Sequence, residues 1–166
     1  MRSTWSSLLL ACMALLTPAA HAGGLAAGAP APDFVLASRD GSKVRLADLR
    51  GDVVMINFWA SWCGPCRQEM PLLAQLQAKY EPLGFRLLGI NVEPDSREAL
   101  AWLEGVPVTF PILFDTASEV AGRFGVQGMP STVFVDRAGN VRYVHQGYKP
   151  GDESRYADMI RSLVKE

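Results

Sequence analysis

A continuous apolar run that ends shortly before two cysteines constrains the fold of this chain more than any other feature. The run is VVMINFWA (53–60), and Cys63 and Cys66 follow it. An apolar run without polar alternation is typical of a strand that is covered on both faces. Apolar residues then recur at spacings of three and four from Met70 to Tyr80, which predicts a helix. We therefore expect the cysteines at the turn between a buried strand and the start of a helix.

The remaining strand and helix patterns alternate along the chain. Asp40-Gly41 lies between two apolar runs, which predicts a β-hairpin ahead of the buried strand. Strands separated by helices pair in parallel, and a second hairpin near the carboxyl end adds antiparallel strands. The predicted fold is therefore α/β, with a central mixed β-sheet flanked by helices. Strands are expected at 33–38, 43–49, 53–60, 85–92, 110–115, 131–137 and 140–148.

Capping patterns mark the starts of the shorter helices. Asp95 and Glu98 form a capping box ahead of one helix, and Thr116 and Glu119 form another ahead of the next. A final amphipathic helix is expected to start near Asp152. Three further helices therefore follow the one that begins at the cysteines.

The start of the chain has the layout of a secretory signal peptide. Arg2 precedes an apolar run, and an A-x-A cleavage site ends at Ala22. The apolar run is shorter than the roughly 20 residues that span a membrane, so an uncleaved anchor is the alternative and not the expectation. We predict a signal peptide at 1–22, a flexible lead rich in Gly, Ala and Pro at 23–32, and one globular domain at 33–166. The domain is expected to be soluble in the periplasm or another extracytoplasmic compartment.

Charge and composition argue against some classes of partner. The net charge is −1 at pH 7, without the basic patch that nucleic acid requires. With 49% hydrophobic and 20% charged residues, the chain has the composition of an ordinary globular protein. We expect a monomer that does not bind nucleic acid.

Three interpretations compete for the Cys63-x-x-Cys66 pair. A structural zinc site needs four ligands, but the chain after residue 22 has no third cysteine and a single histidine, His145, which is interpreted as an exposed hairpin residue. A structural disulfide between residues three apart closes a very small loop and removes little entropy from the unfolded chain. A redox pair explains why the cysteines lie at the start of a helix, so we expect no metal here.

The start of a helix favours the thiolate form of a cysteine. Unpaired backbone N–H groups and the positive end of the helix dipole face the sulfur. Such surroundings lower a cysteine pKa from about 8.5 to about 3.5–7.5. Cys63 is then the nucleophile that attacks a partner disulfide, and Cys66, one turn into the helix, resolves the mixed disulfide. Pro65 fits the first helical turn because no backbone N–H is needed there.

A resemblance to a known family covers about residues 30 to 165. FWASWCGPC (58–66) resembles the active site of thioredoxin, and the whole chain is similar to the exported TlpA/ResA/CcmG branch of that superfamily. The branch features are the amino-terminal hairpin, a helix and strand inserted between Asn91 and Asp115, and the segment GMPSTVFVDRAGNV. The resemblance implies a thioredoxin-like fold with an extra hairpin and a central helix-strand insertion. It implies no cofactor other than the redox-active cysteine pair.

The same resemblance implies substrate contacts around the cysteine pair. Pro130 matches a cis-proline that lies against the disulfide and offers its backbone to a bound chain, and an ordinary trans loop proline is the alternative. Met129 is expected to touch both the sulfurs and the substrate, and Trp62 to face the partner. The implied substrate-binding residues are Trp62, Gly64, Pro65, Met129 and Pro130.

Catalytic roles are implied for three residues. Cys63 and Cys66 match the nucleophilic and resolving thiols of the family, and Glu69 matches the active-site glutamate of the ResA-like branch. Thioredoxin has a buried aspartate where this chain has Asn57, so that acid is missing here. Glu69 lies one turn beyond Cys66 on the predicted helix and is expected to transfer protons, with a solvated helix glutamate as the alternative. Glu93 is a weaker acidic candidate and is interpreted as a loop charge.

Together with predicted export, the resemblance implies a thiol:disulfide oxidoreductase that reduces client proteins. Implied clients are apocytochrome c or copper-delivery proteins, with a membrane thiol donor upstream, because a reductase in an oxidising compartment needs a supply of electrons. A peroxiredoxin-like peroxidase is one alternative, since APDFVL also occurs there, but the Cys-x-x-Cys spacing argues against it. A copper chaperone that uses both thiols with a His or Met129 is the other, although no further soft ligand lies at motif spacing.

Overall fold

A computed structural model describes residues 25–166 of the chain. The predicted signal peptide at 1–22 lies outside the described residues. Among residues 25–166, no helix combines the length and apolar character that crossing a membrane requires. The strands are β1 (Val35–Ser38), β2 (Lys43–Arg45), β3 (Val53–Trp59), β4 (Phe85–Asn91), β5 (Ile112–Phe114), β6 (Ser131–Val135) and β7 (Val141–Gln146). The helices are α1 (Gly64–Tyr80), α2 (Arg97–Leu103), α3 (Glu119–Arg123) and α4 (Asp152–Leu163), with short 3₁₀ helices at Leu46–Leu49 and Glu81–Leu83.

The seven strands form one mixed sheet in the order β2-β1-β5-β4-β3-β6-β7. β3 pairs with β4 and β4 with β5 in parallel, whereas the other neighbouring pairs are antiparallel. The predicted α/β class, mixed sheet and order of elements are confirmed. The amino-terminal hairpin extends the sheet because β1 pairs with β5, the strand of the central insertion.

Each face of the sheet has its own hydrophobic core, and β3 contributes to both. Met55 and Trp59 face the core covered by α1, α2 and α4. Ile56 and Phe58 face the core that contains α3. Side chains alternate between the faces of a strand, so Asn57 lies on the same face as Met55 and Trp59. This alternation places a buried amide against α1.

The two capping boxes predicted for α2 and α3 are wrong. The N-cap residues are Ser96 and Ser118, and neither uses its side chain as a cap. Asp95 precedes the N-cap of α2, and its carboxylate accepts a hydrogen bond from the Arg97 backbone N–H at 3.0 Å. For α3, the buried Asp115 accepts from the Ala121 N–H at 2.8 Å. At α3, a carboxylate that follows β5 therefore replaces the predicted local cap, whereas at α2 the predicted Asp95 accepts a backbone N–H of the first turn from outside the N-cap position.

The predicted flexible lead is partly incorporated into the fold. Pro30 bridges to Asn140, and the Gly28 N–H donates to the Val141 carbonyl at 2.7 Å. Ala31 is buried and packs in the core on the α3 side of the sheet. These backbone hydrogen bonds and this apolar contact hold residues 28–31 against the start of β7. A composition rich in Gly, Ala and Pro shows no periodicity, so sequence alone does not predict this pairing.

Candidate active site

The cysteine pair lies at the amino end of α1, as predicted. Cys63 is the N-cap residue, and its sulfur accepts a hydrogen bond from the Cys66 backbone N–H at 3.2 Å. The two cysteines form a disulfide. Cys63 retains 4% of its surface and Cys66 none. Cys63 is therefore the half of the disulfide that a partner thiol can reach, while Cys66 is covered by the protein.

Glu69 lies one turn beyond Cys66 and is fully buried. Its Oε2 accepts a hydrogen bond from the Asn57 side-chain amide at 3.1 Å, and the same amide nitrogen donates to the Thr132 hydroxyl at 3.0 Å. The Glu69 Oε1 and the Tyr156 hydroxyl are buried without a hydrogen-bond partner among residues 25–166. The alternative of a solvated helix glutamate is therefore wrong, because this carboxyl lies in the interior behind the disulfide.

Burial controls the acidity of Glu69. Removal from water raises the pKa of Glu69 from 4.5 to about 7. The neighbouring Tyr156 hydroxyl and Asn57 amide lower this pKa, and the charge of Asp152 raises it further. Burial, followed by the Glu69 charge, also raises the pKa of Tyr156. A carboxyl with a pKa near 7 can both accept and release a proton at neutral pH, as an acid–base group must.

The surface beside Cys63 carries the predicted substrate-binding residues. Trp62 is 71% exposed, and Gly64 and Pro65 are exposed in the first turn of α1. Met129 is half-buried, and Trp62 and Met129 line one shallow groove. The Met129–Pro130 peptide bond is cis, as expected from the resemblance, and Pro130 is buried. The structure thus brings all five residues to the end of the sheet that carries the disulfide.

Glu93 is not the solvated loop charge that the sequence indicated. Only 8% of its surface is exposed, and its carboxylate accepts hydrogen bonds from the Ser61 backbone N–H, the Ser61 hydroxyl and the Asn91 side-chain amide. Ser61 lies two residues before Cys63. Glu93 therefore binds the segment that leads into the disulfide.

His145 is also more enclosed than predicted. Its side chain is 14% exposed, and its Nε2 lies 3.0 Å from the Asp152 Oδ2. Asp152 is buried and accepts a further hydrogen bond from the Lys149 N–H. The ring of His145 packs edge-on against Tyr156, the neighbour of Glu69.

No group of three metal-ligating side chains occurs within residues 25–166.

Sequence reasoning missed the surroundings of Glu69. The sequence indicates Asn57 only as the replacement for an absent acid, and it predicts no active-site role for Thr132 or Tyr156. One signal was available for Asn57, because strand alternation places it on the face of β3 that α1 covers. The contribution of Tyr156 depends on how α4 docks, which periodicity does not determine.

Comparisons with known proteins agree with this geometry. The Redoxin family model matches residues 26–160. The thiol-disulfide oxidoreductase ResA of Geobacillus kaustophilus is 37% identical over 138 residues, which cover 82% of this chain and 79% of that protein. ResA of Geobacillus thermodenitrificans is 37% identical over 123 residues, covering 74% and 71%.

A solved structure shares the fold over nearly its whole length. It is a Chlorobium tepidum protein assigned as the thiol:disulfide interchange protein DsbE, with a TM-score of 0.82 and 39% identity. The match covers 85% of this chain and 99% of that chain. The thioredoxin-like fold implied by the sequence is therefore confirmed. With its disulfide at the start of α1, the chain belongs to the Redoxin family and is a thiol:disulfide oxidoreductase similar to ResA and DsbE.

Proposed function

We propose that this protein is an exported reductase of disulfides in client proteins. The observation that carries the proposal is Cys63, the cysteine of the pair that retains some exposed surface, at the start of α1, with the buried carboxyl of Glu69 one turn beyond Cys66. Export rests on the signal-peptide pattern of residues 1–22. In an oxidising compartment the reduced form must be regenerated, so we further propose a membrane thiol donor upstream.

The first step is attack by Cys63 of the reduced protein. Its thiolate forms a bond to one sulfur of the client disulfide, and the other client sulfur leaves as a thiolate. The N-cap position of Cys63 supports this role, since its sulfur already accepts the Cys66 backbone N–H. Exposed Trp62 and half-buried Met129 provide the surface on which the client lies.

The second step is resolution by Cys66. Glu69 accepts the proton of the Cys66 thiol, and the resulting thiolate attacks the Cys63 sulfur. The Cys63–Cys66 disulfide forms, the client leaves as a dithiol, and two electrons pass from the protein to the client. Glu69 suits this step because its pKa of about 7 lets it take up and later release the proton near neutral pH.

The proposal also specifies the direction of electron flow and the kind of client protein. Gly64-Pro65 between the cysteines is the dipeptide of reducing thioredoxin, which supports a reductase. The resemblance of the sequence to the TlpA/ResA/CcmG branch supports clients whose cysteines must be kept reduced, such as apocytochrome c or copper-delivery proteins. The protein is proposed to act as a monomer.

The reduction potential tests the direction of electron flow. Equilibration of the Cys63–Cys66 pair with glutathione or dithiothreitol gives this potential directly. A reductase should have a value below about −200 mV, as thioredoxin has, whereas strong oxidants lie near −120 mV. A value above about −200 mV would contradict a reductase and favour an oxidase or isomerase.

A further inference from the structure

Glu93 makes a dense set of hydrogen bonds next to the redox disulfide. Its Oε2 accepts from the Ser61 backbone N–H at 2.8 Å and from the Asn91 side-chain amide at 2.7 Å. Its Oε1 accepts from the Ser61 hydroxyl at 2.7 Å. The Glu93 backbone N–H in turn donates to the Asn91 Oδ1 at 3.2 Å. Both carboxylate oxygens are therefore used, and the side chain is fixed from two directions.

These hydrogen bonds join two separate parts of the fold. Glu93 lies just beyond the end of β4, and Ser61 lies in the connection from β3 to α1. The adjacent Val92 N–H donates to the Trp59 carbonyl at 3.2 Å, so the parallel strands stay paired up to this point. Past Val92 the backbone pairing of β3 with β4 ends, and hydrogen bonds to the Glu93 carboxylate hold the connection that carries Trp62 and Cys63.

Besides Glu93, a turn hydrogen bond from the Cys63 N–H to the Ala60 carbonyl, at 3.2 Å, holds this segment. Trp62 is 71% exposed, so its large side chain gains little from packing within the protein. A surface that must bind a partner loses less conformational entropy on binding when it is already ordered. Glu93 provides this order through the backbone and hydroxyl of the residue immediately before Trp62.

We infer that Glu93 is a positioning residue for disulfide exchange with proteins, and that it acts by holding the Ser61–Trp62 segment in the client-binding geometry. This role goes beyond the proposed function and holds for either direction of electron flow. A carboxylate is required because both of its oxygens accept. Glutamine has only one accepting oxygen. In Glu93→Gln, the NH₂ group would replace the other carboxylate oxygen and would face a hydrogen-bond donor of Ser61 or Asn91, so at least one of these hydrogen bonds would be lost. Charge-assisted hydrogen bonds are also stronger than neutral ones.

The test compares a protein substrate with a small one. Reduced wild type, Glu93→Gln and the matched control Glu98→Gln are each reacted with insulin and with the small disulfide DTNB. Glu98 is exposed and lines the same surface hollow as Glu93. For Glu93→Gln we expect the rate constant with insulin to fall about tenfold, the scale set by loss of one charge-assisted hydrogen bond. The rate constant with DTNB should change by less than about twofold, since a small reagent does not use the Trp62 surface.

A second variant and a double-mutant cycle strengthen the test. Ser61→Ala removes the hydroxyl bond and keeps the backbone N–H, so we expect a smaller selective loss of about threefold with insulin. The double variant should lose less than the product of the two single losses, because both changes affect the same hydrogen bond. If Glu93→Gln does not fold, Ser61→Ala alone shows whether the rate constant falls with insulin and not with DTNB.

Three results would overturn the inference. The first is a rate constant with insulin that stays within about 1.5-fold of wild type in Glu93→Gln. If Glu93→Gln does not fold, the same result in Ser61→Ala counts instead. The second is an equal fall with insulin and DTNB, which indicates a general structural effect on the disulfide. An equally large loss in Glu98→Gln would likewise assign the effect to surface charge and not to the Ser61 hydrogen bonds.

Discussion

The Asn57 side-chain nitrogen lies 3.1 Å from the Glu69 Oε2, in the interior between β3 and α1. Both side chains are fully buried. A neutral amide donates one hydrogen bond to the carboxyl but brings no positive charge to it. One such bond does not compensate for removal from water, so burial raises the pKa of Glu69 to about 7. Asn57 thus holds Glu69 in place while leaving it able to titrate near neutral pH.

Glu69→Gln should slow the resolving step. In the reaction with DTNB, Cys63 first forms a mixed disulfide with thionitrobenzoate, and attack by Cys66 then releases the second thionitrobenzoate. In wild type this second release should accelerate as pH rises through about 7, the pKa of Glu69, because the ionised carboxyl accepts the thiol proton. Without the base, we expect release to be about a hundredfold slower at pH 7.5. Stopped-flow absorbance measures both phases.

The pH profile separates proton transfer from a packing defect. Glu69→Gln should lose the inflection near pH 7 and keep the first, Cys63-dependent phase. If wild type and Glu69→Gln release the second thionitrobenzoate with the same pH profile, Glu69 is not the acid–base group.

The stability of the oxidised protein should depend on pH through the same carboxyl. The pKa of Glu69 is raised from 4.5 in the unfolded chain to about 7 in the folded one, so the folded protein retains a proton that the unfolded chain releases. The free energy of unfolding should therefore fall as pH rises from about 4.5 to about 7, by up to about 3 kcal/mol. Urea denaturation at a series of pH values measures this change.

Glu69→Gln provides the comparison for stability. Its free energy of unfolding should lack this fall, so the difference between the variant and wild type should grow in favour of the variant as pH rises. The exposed Glu98→Gln should follow the wild-type curve. Parallel curves for wild type and Glu69→Gln would show that the pKa of Glu69 is the same in the folded and unfolded states.

The sequence predicted the fold well where periodicity carries the information. The unbroken apolar character of β3 and the spacing of buried residues such as Met70 and Leu73 on α1 gave the strand, the helix and the cysteines between them. The cap of α3 was mispredicted because Asp115, which accepts from the Ala121 N–H, directly follows β5 and does not lie at the helix start. The pairing of residues 28–31 with the start of β7 was not predicted, because backbone hydrogen bonds leave no pattern in the side chains.

Within the active site, the sequence predicted which residues take part better than it predicted their contacts and burial. Cys63 and Cys66 were predicted from the motif at the start of a helix. The role of Glu69 was implied by the resemblance to the ResA-like branch, and helix spacing placed it on the same side as Cys66, since residues three apart on a helix share a face. The hydrogen bonds of Glu93 to Ser61 were not predicted, because they depend on how the connections after β3 and β4 meet in space. His145 pairs with Asp152 for the same reason, through contacts between β7 and α4.

Trp62→Ala should impair exchange with proteins selectively. Because 71% of Trp62 is exposed, its removal should change the free energy of unfolding by less than about 0.5 kcal/mol. Exposed tryptophans often dominate binding surfaces, so kcat/KM with insulin should fall about tenfold. The rate with DTNB should stay close to wild type. An unchanged kcat/KM with insulin would show that clients bind elsewhere.

Trapping of the mixed disulfide tests the central claim most directly. Reduced Cys66→Ser is incubated with insulin, and covalent adducts are measured by mass spectrometry under non-reducing conditions. Cys63 should attack one insulin disulfide, whose other sulfur leaves as a thiolate on the same insulin molecule, and no second active-site thiol is present to resolve the product, so we expect a covalent adduct of insulin at Cys63 that dithiothreitol releases. Cys63→Ser should give no adduct, because Cys66 is fully buried. Absence of an adduct with Cys66→Ser, or an equal yield with Cys63→Ser, would contradict attack by Cys63.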